Sequence, residues 1–303
     1  MLTAPRVSTI TANGFVGLPL ALDQLFVNLA VLPVSDKTSQ GFIFAEYKVG
    51  VNVLKRGENP RAKVVRGGQA PTASAPSAQQ GAGAGAAAVL PQDATLTDGS
   101  GIQRFINQIT TVYRMSATQM PNIKIFHNGN LQMTGIKRVE DGEALVSRIV
   151  EDIRACGSSV CTDPSALASR EFIVRMINAN FEAPTCVSRV RLFEVLRSET
   201  SLQIMFEANN YQALKLHYYF NASNPGQNGC CSCNAEVGST LCEGKGKGMD
   251  KWDCKRVTLA VFETGRMLIS GATTMAHVNH LYAFVSALYG RHATRIGYQR
   301  IAR

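Results

Sequence analysis

Residues 123–135, IKIFHNGNLQMTG, align without a gap on residues 259–271, LAVFETGRMLISG, each residue of the first facing the residue 136 positions later. Phe126 falls on Phe262, Gly129 on Gly265 and Gly135 on Gly271, while Ile123, Ile125, Leu131 and Met133 fall on Leu259, Val261, Met267 and Ile269. Each segment alternates apolar and polar residues, turns at a glycine, and alternates again, which predicts a β-hairpin. Such a match at a fixed spacing predicts a fold built from two diverged copies of one unit.

Working outward, both hairpins run into helical patterns, residues 139–156 and 275–290; in the second, Val278, Leu281, Tyr282, Val285, Leu288 and Tyr289 form one stripe. Upstream, each copy opens on a strand and a helix. VSTITANGF at 7–15 precedes PLALDQLFVNLAVL, with Pro19 suited to a first helical turn. FIVRMINANF at 172–181 precedes SRVRLFEVL, and Ile10, Ala12 and Asn13 match Ile177, Ala179 and Asn180. The next segments, EYKVGVNVLKRG and NNYQALKLHYYF, align through Tyr47 and Tyr211. The unit reads strand, helix, meander, helix, an α+β fold with repeats at residues 1–160 and 161–292 and a basic tail at 293–303.

Two stretches interrupt the pattern, and the alignment puts both between the Tyr-led strand and the Phe-containing hairpin. Residues 57–102 carry the Pro, Ser, Gly and Ala bias of a disordered linker. Residues 221–255 hold five of the eight cysteines: Cys230, Cys231, Cys233, Cys242 and Cys254. Insertions at a hairpin turn are cheap because loop-closure entropy grows only logarithmically with length. With no secretion signal, the cysteines read as a structural zinc site rather than a disulfide framework, the alternative being a flexible loop of reduced thiols. The preferred ligands are Cys231, Cys233, Cys242 and Cys254, with Cys230 as an alternative to Cys231. Lys245, Lys247 and Lys251 near this loop are candidate phosphate contacts or simply solvated cations.

Strand parity sorts each hairpin into two faces. The aliphatic set packs under the helices. Lys124, Phe126, Gln132 and Thr134, with Ala260, Phe262, Leu268 and Ser270, look the other way, toward a face that no helix in the sequence covers. The meander also predicts Tyr47 beside Phe126 and Tyr211 beside Phe262. From one copy these rings read as core or dimer contacts; duplication at matched positions favours an exposed, functional face.

Lysine and arginine total 31 against 22 carboxylates, a formal charge of +9, which suits a polyanionic partner. No stretch approaches the roughly 20 apolar residues that span a bilayer, and the N-terminus lacks a basic segment followed by an apolar run, so a soluble intracellular protein without a membrane partner is expected. No phosphate-binding glycine loop, zinc-protease helix or serine elbow occurs. His277 and His280 share a helix without a third ligand and read as ordinary surface or core histidines. The expectation is a protein that is not an enzyme.

The paired hairpins, with a phenylalanine three residues before the turn glycine and a Thr-Gly or Ser-Gly closing them, resemble the TATA-box-binding protein family. The run CEGKGKG leading through Cys254, Lys255 and Arg256 into VTLAVFETG is similar to its large-DNA-virus branch. The resemblance implies a monomeric, pseudo-twofold saddle whose curved sheet binds and bends duplex DNA through the minor groove, and whose convex helices recruit transcription-initiation proteins or RNA polymerase. It implies aromatic wedges at Phe126, Tyr47, Phe262 and Tyr211, base-edge hydroxyls at Thr134 and Ser270, and further contacts at Lys124, Gln132, Leu268 and Thr9. Lys124 and Gln132 depart from the apolar residues of that family. Where the family reads the centre of the site with asparagines, the alignment offers Thr9 and Met176, with Asn13 and Asn180 nearby. The location implied is the host nucleus or a cytoplasmic viral factory, with packaging in the virion a further possibility. A saddle that grips another protein, as a virion or scaffold component, is the alternative; an accessory module of a nucleic-acid enzyme is a third.

Overall fold

The structure is a computed structural model and describes residues 1–33, 35–60, 96–97, 103–104, 107–207, 212–223, 228–231, 233, 242–250 and 253–299. The first repeat contains β1 (Arg6–Phe15), α1 (Leu22–Asn28), β2 (Gly41–Val49), β3 (Asn52–Gly57), the two-residue strands β4 (Leu96–Thr97) and β5 (Gln103–Arg104), then β6 (Gln108–Arg114), β7 (Asn122–Phe126), β8 (Asn130–Ile136) and α2 (Val139–Ala155). The second contains β9 (Glu171–Glu182), β10 (Cys186–Val187), α3 (Arg189–Glu199), β11 (Gln203–Met205), β12 (Ala213–Phe220), β13 (Lys255–Phe262), β14 (Arg266–Ala272), α4 (Met275–Ile296) and β15 (Gly297–Tyr298).

Among the described residues, eleven strands form one sheet in the order β11-β12-β13-β14-β9-β1-β8-β7-β6-β2-β3. Each neighbouring pair is antiparallel, and the order runs outward alike on both sides of the central β1–β9 pair, with β3 an extra edge strand on one side. The two hairpins occupy equivalent places. Gly129 and Gly265 sit in their turns at φ +83° and +87°, where a Cβ would run into the carbonyl oxygens of Leu18 and Thr185.

The alternation read from the sequence sets the layers. Ile123, Ile125, Leu131, Met133, Leu259, Val261, Met267 and Ile269 are buried in one core with the inward faces of the helices. Thr274 caps α4 by accepting from the His277 amide, and Ser188 caps α3 by accepting from the Arg191 amide. Helix α1 is shorter than expected, because Leu20 donates its amide to the His127 carbonyl and Ala21 to that of Val160, committing the residues after Pro19 to loop contacts. Helix α4 is longer, running through Gly290 to Ile296. The residues after it do not trail away: β15 pairs with β10 before the chain leaves the described region.

The meander differs from the sequence alignment. The counterpart of β12 is β6, the segment QITTVYR, and the counterpart of β2 is the short β11. The two long insertions therefore do not share a place. The first lies between β3 and β6, whereas the cysteine segment lies between β12 and β13; the first repeat joins the corresponding strands β6 and β7 by a short turn. Most of the residues 57–102 lie outside the described residues, and so does Tyr211.

Candidate nucleic-acid interface

The face of the sheet opposite the helices carries cross-strand rows that can be read residue by residue. In the first half, Glu46 pairs with Thr110, Thr110 with Lys124, Lys124 with Gln132, Gln132 with Asn13, and Asn13 with Ile173. In the second half the matching row is Met205, Lys215, Ala260, Leu268, Asn180 and Arg6. Phe126 and Phe262 share the same face at the hairpin ends, paired with Gln108 and Ala213, and both are half-buried. Phe262 borders an open cavity of about 1100 Å³ that Asn178, Asn180, Leu268, Arg189 and Arg266 also line.

Hydroxyls fill the positions between. Thr134 lies between Asn122 and Thr11, and Ser270 lies beside Thr258. Thr9 faces the same way, but its Oγ1 accepts the Gly135 amide at 2.9 Å, which holds the bulge where β1 and β8 change register. Asn13 and Asn180 occupy equivalent central positions beside Gln132 and Leu268. The sequence alignment through Ile10 and Ile177 pairs Asn13 with Asn180 in the same register that pairs Thr9 with Met176. Lys215, Arg6, Thr11 and Asn178 join the face without having been singled out in the sequence.

Tyr47 is not on this face. It is 7% exposed, pairs with Ile109 and stacks on Phe26 of α1 with ring centroids 5.8 Å apart and planes at 38°. Its counterpart is Phe206, one residue beyond β11, which meets Phe193 of α3 at the same 5.8 Å and 38°. Arg56 lies over the Phe26 ring at 6.0 Å, and Arg189 over the Phe206 ring at 5.7 Å. The predicted partnership of Tyr47 with Phe126 fails because Ile109 and Ile125 put Tyr47 on the core side, one residue out of phase with Phe126.

The cysteine segment gathers Cys231, Cys233, Cys242 and Cys254 with all four sulfurs within 4.8 Å of one another. Cys231 and Cys254 are 3.8 Å apart, the separation expected of two thiolates on a tetrahedral ion with bonds of about 2.3 Å. Cys233 and Cys254 are closer, at 3.2 Å. The backbone amides of Cys233 and Gly244 point at the sulfurs of Cys231 and Cys242, and the Asn221 amide at Cys254, the outer-shell donors that thiolates require. Burial pushes the Cys231 thiol up to about 11 and raises that of Cys233 further. Four soft donors in a closed set fit a structural zinc ion. Cys230 turns away and packs on the main core.

His277 is buried, donating from Nε2 to the Lys247 carbonyl at 3.0 Å and accepting at Nδ1 from the Thr273 amide at 3.2 Å. It thereby fastens the loop between Cys242 and Cys254 to α4. His280 meets the ring of Phe220. No helix among the described residues is long and apolar enough to cross a membrane.

No family model matches the chain. It is 26% identical over 208 residues to a TATA-box-binding protein-like protein of Acanthamoeba polyphaga mimivirus, an alignment covering 64% of this chain and 50% of that protein. The chain thus aligns with about half the length of that relative. A superposition on the TBP of Methanococcus jannaschii covers 95% of this chain and 99% of that one, with a TM-score of 0.45 and 10% identity. With its duplicated hairpins and the antiparallel sheet backed by helices, the chain is a divergent relative of the viral TATA-box-binding protein-like protein.

Proposed function

We propose that the protein is a non-catalytic transcription-initiation factor that binds duplex DNA on the helix-free face of its sheet and bends it through the minor groove. The observation that carries this reading is the placement of Phe126 and Phe262 at equivalent ends of that face, with Asn13, Asn180, Thr134 and Ser270 between them. Half-buried rings at the rim act as wedges, unstacking a base step for a few kcal/mol so that the bent duplex meets more of the sheet. Thr134, Ser270, Gln132, Thr9 and Lys124 contact base edges and sugars, and Leu268 packs against the groove floor. Tyr211 stays in the proposed set on sequence alone; Tyr47 leaves it. The two repeats, 1–160 and 161–292, form a saddle, and the convex helices recruit initiation proteins or RNA polymerase. The site of action is the host nucleus or a viral factory.

The four cysteines hold a structural zinc. The loop between β12 and β13 is rich in Gly and Lys and lacks the apolar residues to fold by itself, so the ion supplies the order.

The rival is a saddle that grips a protein, favoured by Lys124 and Gln132 in place of apolar groove contacts. Duplex affinity measured across a range of salt separates the two. DNA binding by a face carrying Arg6, Lys124 and Lys215 weakens steeply as salt rises, because released counterions drive it. The folded double variant Phe126→Ala, Phe262→Ala should bind more weakly and lose bending in a fluorescence-transfer assay. Absence of binding by the unaltered protein at low salt refutes the DNA reading.

A further inference from the structure

The two halves of the open face are equivalent in position and opposite in chemistry. Lys124 occupies the place of Ala260, and Gln132 that of Leu268, each pair of equivalents sharing the same neighbours in the register: β6 or β12 outside, and an asparagine, Asn13 or Asn180, inside. At equivalent positions, one half therefore presents an ammonium and a carboxamide, and the other an isobutyl group beside the nearly buried methyl of Ala260. The second half does carry cations, but away from the Ala260 and Leu268 positions: Lys215 lies one strand farther out at the position of Thr110, where the rim of the face would meet phosphates rather than base edges, and Arg6 lies on the far side of Asn180 at the position of Ile173. Glu46 and Met205 continue the contrast on the next strand, with Glu46 engaged by Lys48 at 3.9 Å and Lys55 at 3.6 Å.

The floor of the minor groove translates this difference into sequence. An A·T pair offers only acceptors there, in either orientation, whereas a G·C pair adds the guanine N2 amino donor. Under Leu268 and Ala260 that amino group would be stripped of water with no acceptor, a penalty that removes G·C from this half of the site. Under Gln132 the carboxamide oxygen accepts from the amino group while its NH₂, like the Lys124 ammonium, donates to the acceptors that every base pair carries.

Resting on the DNA reading above, we infer that the protein recognises an asymmetric site, A·T-restricted under the second repeat and G·C-tolerant under the first, with Gln132 and Lys124 against Leu268 and Ala260 as the residues that set this polarity. The protein then sits on DNA in one direction, which a symmetric saddle could not choose.

The test is selection of duplexes from a randomised pool by the full chain, followed by affinities for single-pair replacements. A G·C pair placed in the A·T-restricted half should weaken binding roughly tenfold. Replacing that guanine with inosine, which lacks only the amino group, should restore the affinity. Inosine in the other half should leave affinity unchanged or lower it. The double variant Lys124→Ala, Gln132→Leu should make the G·C-tolerant half behave like its partner, and Ala260→Lys, Leu268→Gln should relax the restricted half. Binding with equal preferences in both halves, or halves that stay as they were in both double variants, overturns the inference while leaving DNA binding intact. Failure to select any duplex overturns the DNA reading and this inference with it.

Discussion

Arg114 and Tyr219 occupy equivalent ends of β6 and β12, and in both places side chains of the open face are shut away from solvent, but by different means. In the first repeat Phe44 and Val112 form a small apolar cluster with Ile43, covered by Leu32 and Met120, and Arg114, only 4% exposed, reaches Asp36 at 4.0 Å. In the second, Tyr219 packs with Cys233 and Cys254, with Cys231 and Cys242 against them. One corner is held by hydrocarbon and one buried guanidinium; the other by sulfur. A corner covered by Leu32 and Met120 from two loops can be sealed by the hydrophobic effect, whereas a loop built from Gly, Ser, Lys and Cys needs a ligand to order it. The pseudo-symmetric sheet thus fixes where a cover is needed and leaves open what the cover is made of.

The sharpest way to break this comparison is to remove the zinc proposed for the cysteine corner. Cys254→Ser should reduce bound zinc from one equivalent per chain to none, measured by elemental analysis, and destabilise the protein by about 4 kcal/mol or more in chemical denaturation. Cys230→Ser should keep the full equivalent, because that sulfur packs on the main core. If Cys230→Ser also lost the metal, the ligand set would be wrong. A strong chelator should raise amide exchange around residues 242–250 and leave the β1–β9 pair protected.

The apolar corner should respond to truncation instead. Phe44→Ala is expected to cost about 3 kcal/mol, as a nearly buried ring is exchanged for a cavity, with zinc content unchanged. Equal sensitivity of both corners to chelation would erase the distinction between them.

A smaller effect joins the cysteine loop to α4. Burial lowers the His277 pKa below its ordinary value of about 6.5; the hydrogen bond to the Lys247 carbonyl opposes this, and the nearby Lys255 and His280 add to it. A base that stays neutral in the fold takes up its proton first in the unfolded chain. Its contribution is therefore complete above pH about 6.5 and declines as the pH falls below that. Protonation would also make Nδ1 a donor facing the Thr273 amide donor. Stability should fall between pH 7 and pH 5, and His277→Gln should flatten the decline; an unchanged slope would assign it to other groups.

How much of this was legible beforehand follows from which signals are local. The hairpins, the four-cysteine set and the placement of Phe126, Lys124, Gln132 and Thr134 away from the helices all rest on short-range alternation and spacing, which the chain carries in its own order. The partner of Tyr47 did not, because β11 is three residues long and Phe206 lies just past it, so the strand that should have been aligned with β2 hardly registers as a pattern. The more prominent tyrosine at 211 attracted the alignment, and with it the assumption that both insertions interrupt one place. Long-range register, not composition, decided these points, and a one-residue slip exchanges core for surface.

Tyr47 converts that lesson into the smallest expected effect. Since its ring fills the space between Ile109 and Phe26 on the helix side, Tyr47→Phe preserves the packing that its counterpart Phe206 already achieves with a phenylalanine. The change should alter stability by less than about 1 kcal/mol. It should leave duplex affinity and bending unaltered, whereas Phe262→Ala at the rim should reduce both. If Tyr47→Phe weakened DNA binding in a protein of unchanged stability, the tyrosine hydroxyl would have to reach the DNA, and its burial against α1 would be incompatible with the bound state. The two ends of the sheet would then open on binding by releasing the first helix, and the equal 5.8 Å ring pairs at Phe26 and Phe193 would mark hinges rather than fixed supports.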